Sequence, residues 1–255
     1  MLLLLITLIF LQKGGAISLD LLLQNWNFYP WKFLPKGKAE WTFCQMSPAV
    51  INAVTDSHNK LRAKVAKRNL RNAFFEGIPG SKTLFKLKYD CTHEQLARGT
   101  IGNDCKHSSN YMKKIGKGEN FIRYKVAKKP NVAKQKKLFA RAVESWMNTV
   151  KRPLSSGVVY TDTDTEPFAN MIYNKTLKFG CSFLFCDETR WAALACVYDN
   201  RPKSGKPLYW ADSRSSTGCE RSEPCKEVIG GTDVNCDTFS GLCDQDPPTS
   251  RRSKL

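Results

Sequence analysis

Ten cysteines constrain the fold of this chain more strongly than any other feature of its sequence. They follow an apolar run over residues 1–11, which is shorter than the roughly 20 residues of a membrane span. Gly14, Gly15 and Ala16 supply the small residues at which a signal peptidase cuts, so we expect a signal peptide cleaved near Ala16. Secreted chains mature under oxidising conditions, and the even cysteine count then predicts five disulfide bridges.

Two alternatives to a disulfide-bonded secreted chain fit the sequence less well. The only positive charge before the apolar run is the terminal amine, which is weak for a signal peptide, so a membrane anchor is the first alternative. No later segment is apolar enough to span a bilayer. Zinc ribbons carry tight Cys-x2-Cys pairs. The spacings here are wider, namely Cys181-x4-Cys186, Cys219-x5-Cys225 and Cys236-x6-Cys243.

The chain is strongly basic, with a formal net charge of +17, or +16 once Lys13 leaves with the signal peptide. Such a field attracts polyanions. Nucleic acid is a poor partner for a secreted chain, which leaves sulfated glycans, anionic membranes and acidic proteins; a solvated basic face without a specific partner is the plain alternative. The densest basic segment predicts a polyanion-binding surface at Lys125, Lys128, Lys129, Lys134, Lys136 and Lys137.

The first helix of the folded domain is predicted to start at Ser47-Pro48, with a capping hydroxyl followed by proline at the first helical position. Its buried face is predicted from apolar residues at helical spacing. His58 lies on this face, so we interpret it as a core histidine that bonds backbone, in preference to a ligand. The face comprises Ile51, Val54, His58, Leu61 and Val65.

Further elements follow along the chain. Residues 86–90 are expected to be extended and to lead into a short helix with His93 at the surface, residues 133–150 form a helix, and Phe168, Met171 and Ile172 mark another short one. Residues 179–186 and 191–198 are predicted to form a hairpin of two almost continuously apolar strands. A sheet of such strands is covered on both faces, which predicts an α/β fold with a three-layer α-β-α sandwich.

Composition divides the chain into five parts. We expect the signal peptide at 1–16, an irregular aromatic extension at 17–43, the main domain at 44–205, a polar cysteine-rich hinge at 206–246 and a disordered tail at 247–255. The hinge has too few apolar residues for a core of its own and depends on its bridges.

Four short motifs occur in a characteristic order. They are His58-Asn59-Lys60-Leu61-Arg62, then Cys105-Lys106-His107-Ser108, then Gly118-Glu119-Asn120, then Phe179-Gly180-Cys181 followed by Cys186 and Cys196. Over residues 47–243 this order resembles the CAP superfamily, also called the sperm-coating-protein or venom-allergen-like family, and HNKLRAKV at 58–65 is most similar to its nematode secreted branch. The resemblance implies the same α-β-α sandwich.

The resemblance also implies a central site that this chain has partly lost. Members of the family gather two histidines and two glutamates in a cleft that can hold a divalent metal. His107 and Glu119 match the first of each, whereas Thr149 and Pro167 stand in the other two places. We therefore expect no metal and no other cofactor, and a hydrogen-bonded His107–Glu119 pair that ties two loops together.

Disulfide pairing is taken from the same resemblance. Family connectivity implies Cys181–Cys196 and Cys105–Cys186, and Cys44–Cys91 would pin the N-terminal segment. The last four cysteines allow three pairings, of which we favour Cys219–Cys236 with Cys225–Cys243. Separately, Asn174-Lys175-Thr176 is a glycosylation sequon that we expect to be exposed.

The Gly-x-Ser-x-Gly and His-Glu-x-x-His motifs and a phosphate-binding loop do not occur in the sequence. We expect a secreted, non-enzymatic protein that binds an extracellular protein or a cell-surface glycan. By resemblance, nematode CAP proteins of this type modulate host cells. A carrier of lipid or sterol is the alternative, and a metal-dependent hydrolase is a third, weaker hypothesis.

Overall fold

The computed structural model describes residues 43–245, except 72, 109–110, 155–156, 162 and 230–232. The expected signal peptide, the N-terminal extension apart from Phe43, and the tail from 247 lie outside the described residues.

Helices and strands are interspersed along the described chain. The α-helices are α1 (Pro48–Ala66), α2 (Cys91–Gly99), α3 (Tyr111–Lys114), α4 (Val132–Met147), α5 (Glu166–Ile172) and α6 (Glu223–Ile229), with 3-10 turns at Ala73–Phe75 and Thr163–Thr165. The strands are β1 (Lys88–Tyr89), β2 (Gly118–Lys125), β3 (Val159–Tyr160), β4 (Lys178–Cys186), β5 (Trp191–Tyr198), β6 (Lys206–Pro207), β7 (Asn235–Asp237) and β8 (Leu242–Asp244).

The central sheet has the order β1-β4-β5-β2. The predicted hairpin is present as β4 and β5, which pair antiparallel with Cys181 opposite Cys196. Strand β2 pairs antiparallel with the other side of β5, whereas β1 lies parallel to β4. Two short ladders, β3–β6 and β7–β8, lie outside this sheet.

Side chains of β5 alternate between two cores, as the period of a strand requires. Leu194, Cys196 and Tyr198 belong to the large core that includes buried residues of α1, α4 and α5. Ala195 and Val197 belong to a smaller core with Ala97 of α2 and Met112 of α3 on the opposite face. The predicted three-layer α-β-α sandwich is therefore confirmed.

Gly180 allows helix α2 to lie directly on strand β4. A Cβ atom at this position would overlap the backbone nitrogen of Glu94 and the carbonyl oxygen of Asp90. The glycine of the Phe179-Gly180-Cys181 motif is thus required by a close backbone approach.

Two details of α1 differ from the sequence prediction. Ser47 is the N-cap residue, but its side chain makes no capping bond and its hydroxyl is buried without a partner. Ile51 is only half-buried, whereas Val50 and Arg62 are fully buried. The buried stripe is wider than a single heptad face because α1 packs against both α4 and α5.

Arg62 is the largest fully buried side chain, and its guanidinium binds main-chain oxygen atoms. Its Nε donates to the carbonyl of Phe85 at 2.6 Å, and its terminal nitrogens donate to the carbonyls of Met171, Tyr173 and Thr176 at 3.0, 3.1 and 3.3 Å. Burial lowers the pKa of Arg62 to about 9, so the side chain remains charged at neutral pH. One side chain of α1 thereby holds the end of α5 and the segment before β1.

The cysteines form the same five pairs as the sequence analysis predicts, namely Cys44–Cys91, Cys105–Cys186, Cys181–Cys196, Cys219–Cys236 and Cys225–Cys243. The last two bridges lie with Phe85 and Val234 in a third buried cluster.

The cysteine-rich segment packs closely against the rest of the fold. Leu208, Tyr209 and Leu242 belong to the large core, and β6 pairs with β3. Lys86 forms ion pairs with Asp237 and Asp244, each at 2.8 Å. The segment lacks a separate core but contributes to two shared ones.

Replacing Arg62 with methionine is expected to destabilise the fold by about 3 kcal/mol or more, because four buried carbonyl groups each lose a hydrogen bond. Urea unfolding followed by fluorescence measures the change. Arg62→Lys keeps the charge but not the fork of donors, so it is expected to fall between wild type and Arg62→Met. Equal stability of Arg62→Met and wild type would show that these hydrogen bonds contribute no net stability.

Candidate functional site

His107 lies in a loop that is fastened at several points. Cys105, with a positive φ of 59°, is bridged to Cys186 at the end of β4. The chain then returns towards α2, where Ile101 pairs with His107 and the Ser108 amide donates to the Thr100 carbonyl at 2.9 Å. These constraints fix where the imidazole points.

The His107 ring contacts Glu119 of β2. Its Nε2 lies 2.6 Å from Glu119 Oε1, and the ring packs against Phe121 with centroids 5.4 Å apart. The exposed fraction is 37% for the His107 side chain and 6% for Glu119. The two tetrad residues that the sequence retains therefore form a direct hydrogen-bonded pair.

A cleft of about 400 Å³ opens beside this pair. The sequence predicts His107, Glu119 and Pro167 at the site, but it does not predict Glu166 or Lys113 there. Glu166 precedes Pro167 directly, so a carboxylate next to the lost histidine position was the available signal. The cleft is lined by His107, Lys113, Glu119, Phe121, Thr163, Glu166 and Pro167.

Glu166 binds cations from two different segments. Its Oε1 accepts from Arg201 Nε at 2.9 Å, and its Oε2 lies 3.3 Å from Lys113 Nζ. The hydrogen bond and charge of Glu166 raise the pKa of Arg201. No sequence pattern links residues 166 and 201, since only the folded chain brings them together.

Burial raises the pKa of Glu119. The charge of the His107 ring, hydrogen bonds from His107 and Thr100, and the ammonium of Lys113 oppose this effect. Lys113 is thus a fixed positive charge that acts on both carboxylates of the cleft.

The two replaced tetrad positions have different locations. Pro167 lines the cleft but offers no ligand atom, and its carbonyl accepts from Asn120 Nδ2 at 2.8 Å. The predicted helix at 133–150 ends earlier, at Met147, so Thr149 lies beyond the C-cap. The Thr149 hydroxyl donates to the Trp146 carbonyl at 2.8 Å, and Thr149 is not part of the cleft lining.

A network of buried hydrogen bonds connects α1, β5, β2 and α5 next to the cleft. His58 Nδ1 donates to the Val54 carbonyl at 2.8 Å, so its Nε2 accepts from the Tyr198 hydroxyl at 2.9 Å. Asn120 Nδ2 donates to the same hydroxyl at 3.2 Å, and Asn170 Nδ2 donates to Asn120 Oδ1 at 3.0 Å. The interpretation of His58 as a backbone-bonded core residue is confirmed.

The residues of the cleft do not fit a tight divalent metal site, which needs three or four protein ligands at the distances of coordination bonds. Within the described part of the chain, just one group of at least three histidine, cysteine or carboxylate residues brings its ligand atoms within 4.8 Å of one another, and it consists of Cys219, Cys225 and Cys243. These sulfur atoms belong to disulfides. The cleft offers too few ligand atoms, and the Lys113 ammonium there would also repel a metal cation.

Two surface predictions are wrong. His93 is 8% exposed, because its ring contacts Asp90 Oδ1 at 2.7 Å and Lys117 Nζ at 3.2 Å. Asn174 is 6% exposed, and the Thr176 hydroxyl of the sequon is buried against the Asn200 carbonyl. The backbone N–H of Asn174 donates to the Leu208 carbonyl at 2.8 Å, so the cysteine-rich segment packs against the sequon.

The predicted polyanion-binding lysines lie at the end of β2, in the loop that follows it and over the first two turns of α4, and all are exposed. The Lys125 ammonium is partly engaged, since it donates to the Thr189 carbonyl at 2.6 Å and lies over the Trp191 ring.

Comparison with known proteins identifies the family. The model for CAP, the cysteine-rich secretory protein family, matches residues 55–198. The chain belongs to this family. It is 24% identical over 204 residues to an Ancylostoma secreted protein from Ancylostoma caninum, and the match covers 76% of this chain but 42% of that relative.

Solved structures share the CAP fold of this chain. BmVAL-1 superimposes with a TM-score of 0.68 at 21% identity, covering 80% of this chain and 98% of BmVAL-1. NaASP2, in a structure with Zn²⁺, gives 0.61 at 22% identity, covering 79% and 100% of the two chains. At such identities the likeness shows the fold alone.

Family members of this kind are generally not classical enzymes. The related Ancylostoma protein is a secreted protein. In the described segments of this CAP protein, the helices are too short or too polar to cross a membrane.

The His58 network predicts a loss of stability in mild acid. Burial lowers the pKa of His58 from 6.5 to about 4, so the unfolded chain takes up a proton that the folded chain resists. The free energy of unfolding is therefore expected to fall by about 2 kcal/mol between pH 7 and pH 5. Urea unfolding at both pH values measures it, and His58→Gln should show a smaller fall. The same fall in both proteins would assign the effect to other groups.

The pairing of His107 with Glu119 predicts a structural role. Glu119→Ala is expected to lower the free energy of unfolding by about 1–3 kcal/mol, because His107 loses its partner. The exposed Glu227→Ala is the matched control and should have little effect.

Isothermal titration of the wild type with zinc is expected to show no submicromolar, stoichiometric binding. Such binding, if lost in His107→Ala, would contradict our conclusion about the metal.

Proposed function

We propose that this CAP protein acts outside the cell as a non-enzymatic binding protein that recognises a sulfated glycan through its lysine surface. The lysine surface comprises Lys125, Lys128, Lys129, Lys134, Lys136 and Lys137. The proposal rests on one observation. All six lysines are exposed, and none of them forms an ion pair with a carboxylate of the described residues.

The position of these lysines is unfavourable for the helix that carries them. The first turn of α4 contains Lys134 and no acidic residue, although the positive end of a helix dipole favours acidic side chains there. Asn131 caps the helix by accepting from the Lys134 amide at 2.9 Å, so local stability comes from the cap. An anionic partner would relieve the repulsion between the lysines and the dipole.

The lysine surface continues into a groove between α1 and α4. Lys136 and Lys137 form one wall, Lys60 and Asp56 belong to the opposite helix, and small residues such as Ala53 leave the groove open. Its volume is about 560 Å³. Three lysines against one carboxylate suit a polyanionic chain better than a neutral lipid, so the groove does not favour the carrier hypothesis.

The state of the cleft supports binding over catalysis. A hydrogen-bonded histidine–glutamate pair, a proline and a lysine replace the ligand set from which a metal-activated water would come. The basic surface, and not the cleft, therefore supports a binding function.

Heparin affinity chromatography tests the proposal. The triple variant Lys134→Ser/Lys136→Ser/Lys137→Ser is expected to elute at a clearly lower salt concentration than wild type, because fewer sulfate contacts release fewer counterions. The control changes the same number of exposed charges elsewhere, as Lys175→Ser/Lys206→Ser/Lys226→Ser. This control is expected to elute close to wild type.

Equal shifts in the two triple variants would mean that heparin responds to net charge alone, which would overturn the assignment to the lysine surface. A wild-type protein that passes through the column at physiological salt would overturn glycan binding itself. Binding to an acidic protein in place of heparin would then be the next hypothesis to test.

A further inference from the structure

A second cavity with a basic lining adjoins the cleft and shares Lys113 and Thr163 with it. Its volume is about 380 Å³. Its walls come from α3, from the end of β3, and from the loop that follows β5. The residues relevant to binding are Lys113, Tyr160, Thr161, Arg201, Lys203 and Ser204.

Positive charge in this cavity exceeds negative charge. Lys113 and Arg201 both contact Glu166, which is only 7% exposed and lines the neighbouring cleft. Lys203 is exposed and forms no ion pair with a carboxylate in the described ranges. Glu166 therefore holds two cations in position and neutralises one charge of three.

The turn that carries Lys203 and Ser204 is held in place by main-chain bonds. The Gly205 amide donates to the Tyr160 carbonyl at 2.8 Å, and the Lys206 amide donates to the Lys203 carbonyl at 3.1 Å. Gly205 has a φ of 73°, which favours glycine at this position. Thr161 and Ser204 line the same cavity and add hydroxyl donors to it.

This cavity is separate from the lysine surface. It adjoins Gly116, just before β2 begins, whereas Lys125 ends the same strand. Seven steps of an extended strand place these ends about 23 Å apart. The two basic sites therefore do not share a ligand group.

We propose that the cavity binds a tetrahedral oxyanion, a sulfate or phosphate monoester carried by a small organic group. Two or three cations together with hydroxyl donors match the charge and the acceptor atoms of such an ester. The Tyr160 ring and Pro202 supply apolar walls, and the volume leaves room for more than the oxyanion itself. This inference is independent of the glycan proposal, since it uses none of the same lysines.

Isothermal titration with glucose 6-sulfate, glucose 6-phosphate and sn-glycerol 3-phosphate tests the cavity, with glucose as the neutral control. Saturable 1:1 binding of at least one ester is expected, and no binding of glucose. The preferred ester distinguishes a sulfated sugar from a phosphorylated sugar or a lipid headgroup. Removing one charged donor should weaken binding about tenfold, so Lys203→Gln is the informative variant.

Lys206→Gln is the matched control, because it removes the same charge three residues away and outside the cavity lining. It is expected to bind within about twofold of wild type, since an exposed charge at a distance is screened. Ser204→Phe keeps the net charge but fills the cavity, and is expected to abolish binding. Equal weakening by both lysine variants, unchanged binding by Ser204→Phe, or no saturable binding of any ester would overturn the proposal.

Discussion

The arrangement of the other layers depends on the hydrogen bonds of the buried Arg62 guanidinium. A charge with no exposed surface is tolerated in a protein only when its donors are satisfied. Arg62 meets that condition with carbonyl groups from the segment before β1 and from the end of α5 and beyond. Helix α1 therefore determines where α5 ends, and α5 carries one wall of the cleft.

One helical turn earlier in α1, His58 is a second buried polar side chain whose hydrogen bonds connect the layers. It is neutral, donates to its own helix and accepts from Tyr198 of β5. Asn120 and Asn170 continue the chain of hydrogen bonds to β2 and α5, and Asn170 also donates to the Glu119 carbonyl at 3.1 Å. The backbone of the cleft is thus supported by buried groups that do not depend on a metal. This explains how the scaffold persists although two tetrad positions are replaced.

Positive charges are paired with carboxylates in one part of this protein and unpaired in another. Within the cleft, Lys113 lies beside Glu166 and acts on Glu119, so carboxylates are balanced by a side chain. At the far end of β2, the lysine surface has no such balance among the described residues. A basic surface that is left unneutralised, at the opposite end of β2 from a cleft whose carboxylates are paired with cations, is consistent with recognition of anionic partners at the surface.

The sequence by itself determined the layered fold, the strand hairpin and the pairing of the two retained tetrad residues. Periodicity identifies the buried face of α1, continuous apolar strands require cover on both sides, and the order of motifs carries the family resemblance. These features are local or are repeated along the chain. The burial of Asn174 and His93 and the Glu166 contacts with Lys113 and Arg201 were decided only by tertiary structure. Each depends on which distant segment packs against which side chain, and spacing along the sequence contains no measure of that distance.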